Sequence, residues 1–245
     1  MKGKVTHVSH DGIGTVYGIG VGPGDPELIT VKAHRLIQES PVIAYPKKRM
    51  GGKSYALEIV EQYINPSEKA MLGLVFPMTR DKDVLYRQWN EIVDTVWEEL
   101  SQGRNVAFVT EGDPMLYSTF IHMSRLLKQR YPHSEVVSVP GVSSINAAAS
   151  RMDVPLADGD ETVAIVPATK DLSKMRTVLE MHDCVIFIKV SKVLDSMIDL
   201  LSNLELIDKA VVATRVTASE EMIWNNVQEL RGADLNYLTL MVVRK

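Results

Sequence analysis

A glycine-rich turn at residues 18–27, with the sequence GIGVGPGDPE, carries residue types suited to holding a ligand. It follows an apolar, strand-like run, and Asp25, Pro26 and Glu27 are residue types preferred at the start of a helix. Glycine lets the backbone adopt positive φ and approach a ligand or another backbone closely. The turn therefore predicts either a ligand-binding loop or only a tight connection between a strand and a helix.

The spacing of these glycines disagrees with two common phosphate-binding loops. A dinucleotide-binding loop has the pattern Gly-x-Gly-x-x-Gly, whereas Gly18, Gly20, Gly22 and Gly24 recur at every second position. A loop that binds nucleoside triphosphates carries lysine and then serine or threonine after its glycines, and this turn does not. Phosphate chemistry is therefore not indicated.

Two further turns repeat the order of an extended run, a glycine and a helical segment. Residues 111–120 have the sequence EGDPMLYSTF, and residues 139–149 have the sequence VPGVSSINAAA. Asp113 is equally suited to cap a helix and to bind hydroxyl or amine groups of a ligand. Ser143 is suited to cap the helix that follows, whose first amides would face a carboxylate or a ligand. The small residues of that helix are explained equally well by close helix packing.

The residue types that could bind a metal or act as a nucleophile are scattered along the chain. The six histidines fall in different predicted elements, and His7 and His10 have no Cys, Asp or Glu partner at ligand spacing. No Gly-x-Ser-x-Gly motif is present, and the single cysteine, Cys184, lies in an apolar run. We expect no protein-bound metal and no hydrolase nucleophile, and we expect Cys184 to be a buried apolar residue.

The turns are embedded in a regular alternation of strand-like and helix-like segments. The apolar runs predicted as strands are 15–21, 42–45, 70–74, 105–110, 135–139, 162–166, 184–189, 209–214 and 237–243. The segments predicted as helices, with apolar residues at three- and four-residue spacing, include 26–38, 85–102, 117–129, 144–152, 174–181 and 194–203. This alternation is typical of α/β folds.

The length of 245 residues suits two domains. Residues 131–134 (YPHS) follow a charged helix end and precede a new apolar run. We therefore predict an N-terminal α/β domain of residues 1–132, in which residues 1–14 form a loosely held tail, and a C-terminal α/β domain of residues 133–245. A cleft at the seam of two such domains is a usual place for a small ligand.

Charge and hydropathy indicate which partners and which compartment are expected for the protein. The formal net charge of -4 disfavours a nucleic-acid partner. No apolar stretch approaches the roughly 18 residues of a membrane span, and the N-terminus lacks the apolar core of a signal peptide. We expect a cytoplasmic protein with no membrane or nucleic-acid partner.

Taken together, the three turns resemble the tetrapyrrole (corrin and porphyrin) methylases, a family of enzymes that depend on S-adenosylmethionine. The matching residues are GVGPGDPELITVKA at 20–33, VTEGDPMLYSTF at 109–120 and VPGVSSINAAA at 139–149. Two segments, FPMTRD at 76–81 and EGDPMLYSTF at 111–120, resemble one branch most closely. That branch methylates C-20 of precorrin-2 or cobalt-factor II in cobalamin (vitamin B12) biosynthesis.

The resemblance implies two α/β domains, each around a five-stranded mixed sheet, with S-adenosylmethionine folded into the cleft between them. It also implies a homodimer and a tetrapyrrole substrate. The residues to which it assigns cofactor contacts are Pro23, Glu111, Gly112, Asp113, Leu116, Ser143, Ser144, Val190, Val216 and Leu238. A base that takes the proton from the methylated ring carbon is not identified, and the candidates are Asp113, Glu111 and Tyr117.

The ring carboxylates of such a substrate would be met by basic residues near predicted strand ends. The candidates are Lys47, Lys48, Arg49 and Arg80, although a solvated loop explains each of them as well. A relative that methylates another ring carbon, or a macromolecule as diphthine synthase does, would share the cofactor turns. Outside this class, the alternatives are an NAD-dependent oxidoreductase, whose glycine spacing is missing, and a non-enzymatic ligand-binding module.

Overall fold

The computed structural model describes residues 12–47, 51–76, 79 and 81–245, and the chain divides into two compact units after Ser143. Each unit contains a five-stranded sheet. Most of the predicted tail, residues 1–11, lies outside the described residues. Gly14, the last residue of the predicted tail, is held in place, because its backbone N–H donates to the carbonyl oxygen of Leu100 at 2.8 Å.

The first unit alternates strands with helices. Its strands are β1 (Thr15–Gly20), β2 (Val42–Lys47), β3 (Ala70–Val75), β4 (Val106–Thr110) and β5 (Glu135–Val139). Its helices are α1 (Val31–Glu39), α2 (Tyr55–Val60), α3 (Lys82–Ser101) and α4 (Thr119–Arg130). The strand order is β3-β2-β4-β1-β5, and every pair is parallel. The expected mixed sheet is therefore wrong for this unit, because helical crossovers return the chain to the same edge before each strand.

Strand β5 also moves the boundary between the two units. The sequence predicted a second domain from residue 133, but β5 pairs with β1 from Thr15 to Ile19 and completes the first sheet. Residues 131–134, where the boundary was predicted, form a tight turn in which the Ser134 N–H donates to the Tyr131 carbonyl at 2.9 Å. This turn leads α4 directly back into the first sheet, so the boundary falls after Ser143 rather than after Pro132.

Both faces of the parallel sheet are buried, as is usual when helices cover each face. On one face, Val16, Val106 and Phe108 pack with side chains of α3 and α4. On the other face, Ile19 and Val109 pack with side chains of α1 and α2. The chain therefore leaves β1 toward one face, into α1, and leaves β4 toward the opposite face, into α4.

The second unit has a mixed sheet. Its elements are α5 (Ser144–Met152), β6 (Val163–Pro167), α6 (Leu172–Met181), β7 (Cys184–Ile188), α7 (Leu194–Asn203), β8 (Ala210–Thr214), β9 (Met222–Trp224) and β10 (Thr239–Arg244). The strand order is β6-β7-β10-β8-β9; β6 and β7 are parallel, and the other neighbours are antiparallel. Cys184 is fully buried, as predicted, and burial raises the pKa of its thiol. Within the described residues, no helix is both long enough and apolar enough to cross a membrane.

Charged residues hold the edge strand β6 at its amino end. The Asp183 carboxylate accepts hydrogen bonds from the Thr162 N–H at 2.7 Å and the Thr162 hydroxyl at 2.9 Å. Glu161 accepts from the Arg244 guanidinium at 2.7 Å. These bonds lower the pKa of both carboxyl groups, chiefly through the Thr162 N–H for Asp183 and through Arg244 for Glu161.

We expect the Tm of the protein to fall as the pH drops below about 4. A carboxyl group whose pKa is lowered in the folded state stabilises that state above its unfolded pKa, and this stabilisation is lost as the pH falls through the folded value. Calorimetric unfolding of wild type and Asp183→Asn should show a lower Tm for the variant at neutral pH and a smaller difference at about pH 3. An equal difference at both pH values would contradict this assignment.

Candidate active site

The three glycine turns follow β1, β4 and β5, which are neighbours in the first sheet. Because these strands are parallel, the turns lie together at the carboxyl edge of the sheet. The connections from β1 and β4 leave toward opposite faces. In open α/β sheets, such a reversal between adjacent strands is where ligands bind.

Backbone hydrogen bonds join the first turn to the second. The Val21 N–H donates to the Thr110 carbonyl at 3.0 Å, and the Gly112 N–H donates to the Gly22 carbonyl at 2.8 Å. Gly22 and Gly112 have φ values of 88° and 62°, a region that residues with a Cβ rarely adopt. The two glycines thus fix the relative position of the two turns.

The start of the first helix differs from the prediction. Asp25 does act as a cap, but of a short 3-10 turn at Pro26–Leu28, and Thr30 caps α1 after a break. The predicted helix from Pro26 therefore begins five residues late, at Val31. Pro23 precedes this turn, and its carbonyl oxygen accepts from the Tyr55 hydroxyl at 3.1 Å.

Asp113 joins the second turn to the third. Its Oδ1 accepts from the Met115 N–H at 2.8 Å, and its Oδ2 accepts from the Gly141 N–H at 3.1 Å. The helix that follows is capped by Ser118 instead. Asp113 therefore stabilises the arrangement of two turns, and the remaining lone pairs of its oxygens still permit a contact with a ligand.

Gly20 and Gly141 allow the three turns to pack backbone against backbone. A Cβ atom on Gly20 would lie 2.4 Å from the Gly112 carbonyl oxygen, and a Cβ on Gly141 would lie 2.2 Å from the same atom. Both distances are far below van der Waals contact. Packing between the turns thus explains these two glycines without any ligand.

The second turn presents apolar side chains to solvent. Met115, Leu116 and Tyr117 are 57%, 37% and 47% exposed. Tyr117 has a φ of 54°, and such a left-handed conformation costs a residue with a side chain about 1–3 kcal/mol. Glu111 lies at the start of the same turn and is half-buried. All three candidate bases, Asp113, Glu111 and Tyr117, therefore lie in this one turn.

Ser143 and Ser144 lie where the third turn enters α5. Ser144 is the first residue of the helix, and Ser143 directly precedes it, in the position predicted for the cap. Both are half-buried. The first amides of a helix have no partner within the helix, so they are suited to bind an acceptor group of a ligand.

The other residues predicted to contact the cofactor lie at one edge of the second sheet. Val190 follows β7, Val216 closely follows β8, and Leu238 precedes β10, which runs antiparallel to both strands. The side chains of Val190 and Val216 are 0% and 3% exposed, so either residue would meet a ligand through its backbone. Leu238 is 36% exposed, and its carbonyl oxygen accepts from the Arg215 N–H at 3.0 Å.

Three residues at this edge have left-handed backbones that sequence reasoning missed. The φ values of Lys189, Arg215 and Thr217 are 60°, 47° and 68°. Such residues are strained and cluster at functional sites. No glycine marks these positions, so the sequence offered no signal for them. Lys189 also places its Nζ 5.7 Å from the centroid of the Tyr237 ring, within the range of a cation–π interaction.

Of the basic residues suggested for the ring carboxylates, three lie outside the described residues: Lys48, Arg49 and Arg80. Lys47 is described, and its Nζ lies 5.1 Å from the centroid of the Tyr45 ring. In the part of the chain that the structure describes, no group of three or more His, Cys, Asp or Glu side chains is placed to hold a metal ion.

Solved structures share this fold. The X-ray structure of a cobalt precorrin-4 methyltransferase of cobalamin biosynthesis has a TM-score of 0.74 at 23% identity, covering 94% of each chain. The uroporphyrin-III C-methyl transferase of Thermus thermophilus, complexed with S-adenyl homocysteine, has a TM-score of 0.66 at 20% identity, covering 95% of this chain and 98% of the other. At these identities the comparison establishes the two-unit α/β fold.

Sequence relatives establish the family. The chain is 34% identical to a probable cobalt-precorrin-2 C(20)-methyltransferase of Methanocaldococcus jannaschii over 94% of this chain and 96% of that protein. It is 32% identical to the cobalt-precorrin-2 C(20)-methyltransferase of Salmonella typhimurium over 95% and 97% of the two chains. It is 30% identical to the precorrin-2 C(20)-methyltransferase of a Sinorhizobium species over 95% and 96%. Residues 15–231 match the model of the tetrapyrrole (corrin/porphyrin) methylases, and the chain belongs to this family.

Proposed function

We propose that the protein transfers a methyl group from S-adenosylmethionine to C-20 of precorrin-2 or cobalt-factor II in cobalamin biosynthesis. The observation that carries this proposal is the C(20)-methyltransferase name shared by three relatives that align over at least 94% of the chain. The resemblance of residues 76–81 and 111–120 to the C-20 branch supports it independently of those names.

We propose cofactor contacts in each unit, at the residues that the resemblance assigns. In the first unit they are Pro23, Glu111, Gly112, Asp113, Leu116 and Ser143, and in the second unit they are Ser144, Val190, Val216 and Leu238. Three features fit S-adenosylmethionine. Leu116 offers exposed apolar surface, and the start of α5 offers backbone amides. The first turn lacks the lysine of a phosphate-binding loop. The solved Thermus relative in complex with S-adenyl homocysteine is consistent with this choice of ligand.

In this proposal, bound S-adenosylmethionine supplies the electrophilic methyl group, and the protein mainly positions the substrate carbon. Holding the reacting atoms in line removes much of the entropic barrier and needs no nucleophile from the chain. The methylated ring carbon must then lose a proton. Protonation of the Asp113 carboxylate would compete with the two backbone donors that it already accepts from, which counts against Asp113 as the base.

Methyl-labelled S-adenosylmethionine tests the reaction directly. We expect carbon NMR of the product to show one new methyl group, at C-20, with precorrin-2 or cobalt-factor II as the substrate. The relative rates with these two substrates will show whether the natural ring carries cobalt. A label at C-2, C-7, C-11 or C-17 would refute the branch assignment but not the family.

We further propose that the working unit is a homodimer, as the family resemblance implies, and that nucleic acid is not a partner, given the net charge of -4. Sedimentation at micromolar concentration should give twice the 27.3 kDa mass of one chain. The mass of a single chain would contradict the homodimer.

A further inference from the structure

The loop between β8 and β9, residues 215–221, has a strained backbone on both sides of Val216. Arg215 and Thr217 have φ values of 47° and 68°. A left-handed conformation is especially unfavourable for threonine, because its Cβ is branched. The loop therefore needs a specific interaction to keep this conformation.

Glu221 provides that interaction at the end of the loop. Its Oε2 accepts a hydrogen bond from the Thr217 N–H at 2.6 Å, and its side chain is only 11% exposed. Arg151, in the last turn of α5, donates to both oxygens of the same carboxylate: Nη2 donates to Oε1 at 2.6 Å, and Nε donates to Oε1 at 2.9 Å and to Oε2 at 3.1 Å. A bidentate pair of this kind fixes the orientation of the carboxylate. The hydrogen bond from Arg151 is also the largest cause of the lowered pKa of Glu221, so the carboxylate stays charged near neutral pH.

This ion pair joins two elements that carry proposed cofactor contacts. Helix α5 begins with Ser144 and ends near Arg151, and the loop contains Val216; all of them belong to the second unit. The side chain of Val216 is 3% exposed, so this residue would meet the cofactor through its backbone. The orientation of that backbone depends on the torsion angles of the strained residues beside it.

We propose that Arg151 and Glu221 are positioning residues for S-adenosylmethionine, which hold the backbone of Val216 in the orientation that meets the cofactor. This inference rests on the proposed function. It assigns an indirect role to two residues that do not themselves touch the ligand. Arg151 fixes the Glu221 carboxylate, the carboxylate fixes the Thr217 N–H, and that bond fixes the loop.

Calorimetric titration with S-adenosylhomocysteine tests the proposal on the full chain. We expect Arg151→Ala and Glu221→Ala each to raise the Kd about tenfold, the effect of losing one hydrogen bond to a charged group. Arg231→Ala is a matched control. It removes an ion pair with Asp199 in the same unit, and its side chain is 52% exposed, against 56% for Arg151. This control should bind with the wild-type Kd.

Two further variants separate positioning from simple charge pairing. Glu221→Gln keeps an oxygen that can accept from the Thr217 N–H, so we expect it to bind more tightly than Glu221→Ala. The exchange Arg151→Glu with Glu221→Arg restores opposite charges but leaves the Thr217 N–H without a carboxylate acceptor. Its affinity should stay low, and recovery to the wild-type Kd would overturn the role assigned to Thr217.

The possible failures are distinguishable. If the two alanine variants bind S-adenosylhomocysteine as tightly as wild type while their Tm falls, the ion pair only stabilises the fold and the inference is wrong. If an alanine variant fails to fold, the charge exchange still decides the question, because its Kd is compared with that of wild type. If wild type itself shows no binding, the proposed function falls, and the inference falls with it.

Discussion

Replacing Asp113 with alanine is expected to weaken S-adenosylhomocysteine binding about a hundredfold while the protein stays folded. The Asp113 carboxylate accepts from the Met115 N–H within its own turn and from the Gly141 N–H of the third turn. A hydrogen bond to a charged group contributes about 1.5–3 kcal/mol. Without both bonds, the two turns lose their fixed separation at the carboxyl edge of the first sheet.

Two variants control for this experiment. Asp113→Asn retains one acceptor oxygen, so calorimetry should give a Kd between those of wild type and Asp113→Ala. Asp171→Ala removes the cap of α6 in the second unit, where Asp171 accepts from the Lys174 N–H at 3.1 Å. Loss of such a cap costs about 1 kcal/mol of stability and should leave the Kd unchanged. Wild-type affinity in Asp113→Ala would show that the turns do not form the cofactor site.

The sequence predicted most elements of the fold, because they are long and have a clear apolar period. Each predicted strand corresponds to a strand of the structure. The elements that were missed are short: β9 (Met222–Trp224) has three residues, and α2 (Tyr55–Val60) has six. Such segments contain too few residues to show a period. The start of α1 was misplaced because the strong signal at Asp25 belongs to a separate 3-10 turn, and the weaker one at Thr30 begins the helix.

The direction and pairing of the strands could not be predicted from the sequence. An apolar run indicates a strand but not its neighbours, so the parallel first sheet and the place of β5 within it could be found only from the structure. The expected boundary near Pro132 relied on turn-forming residues, which also form the tight turns within a domain.

The candidate site was predictable where its residues are adjacent in the chain. The three turns combine glycine, aspartate and serine in short motifs, and the structure brings them to one edge of one sheet. Arg151 and Glu221 are 70 positions apart, and no local pattern could pair them. The glycines were also only partly understood. The sequence left open whether they make room for a ligand or for another backbone, and the structure shows that Gly20 and Gly141 allow the turns to pack against each other.

The substitution Gly141→Ala is therefore expected to lower the Tm and to abolish S-adenosylhomocysteine binding. The new Cβ would lie 2.2 Å from the Gly112 carbonyl oxygen and 2.6 Å from the carbonyl carbon of Gly20. Both atoms belong to the backbone, so the turns must move apart to relieve the overlap. Overpacking of this kind typically costs about 1–3 kcal/mol, and a protein of this size loses about 2–4 °C of Tm for each kcal/mol.

Gly18→Ala is the matched comparison, because there the overlap is with a side chain. Its Cβ would lie 2.1 Å from Cζ of Phe120, which is buried beneath β1. We expect Gly18→Ala to lower the Tm and Phe120→Leu, added to it, to restore part of the loss by vacating that space. No side-chain change can do the same for Gly141→Ala. Thermal unfolding and calorimetric titration of these variants would check both expectations, and wild-type affinity in Gly141→Ala would show that close packing of the turns is not needed to bind the cofactor.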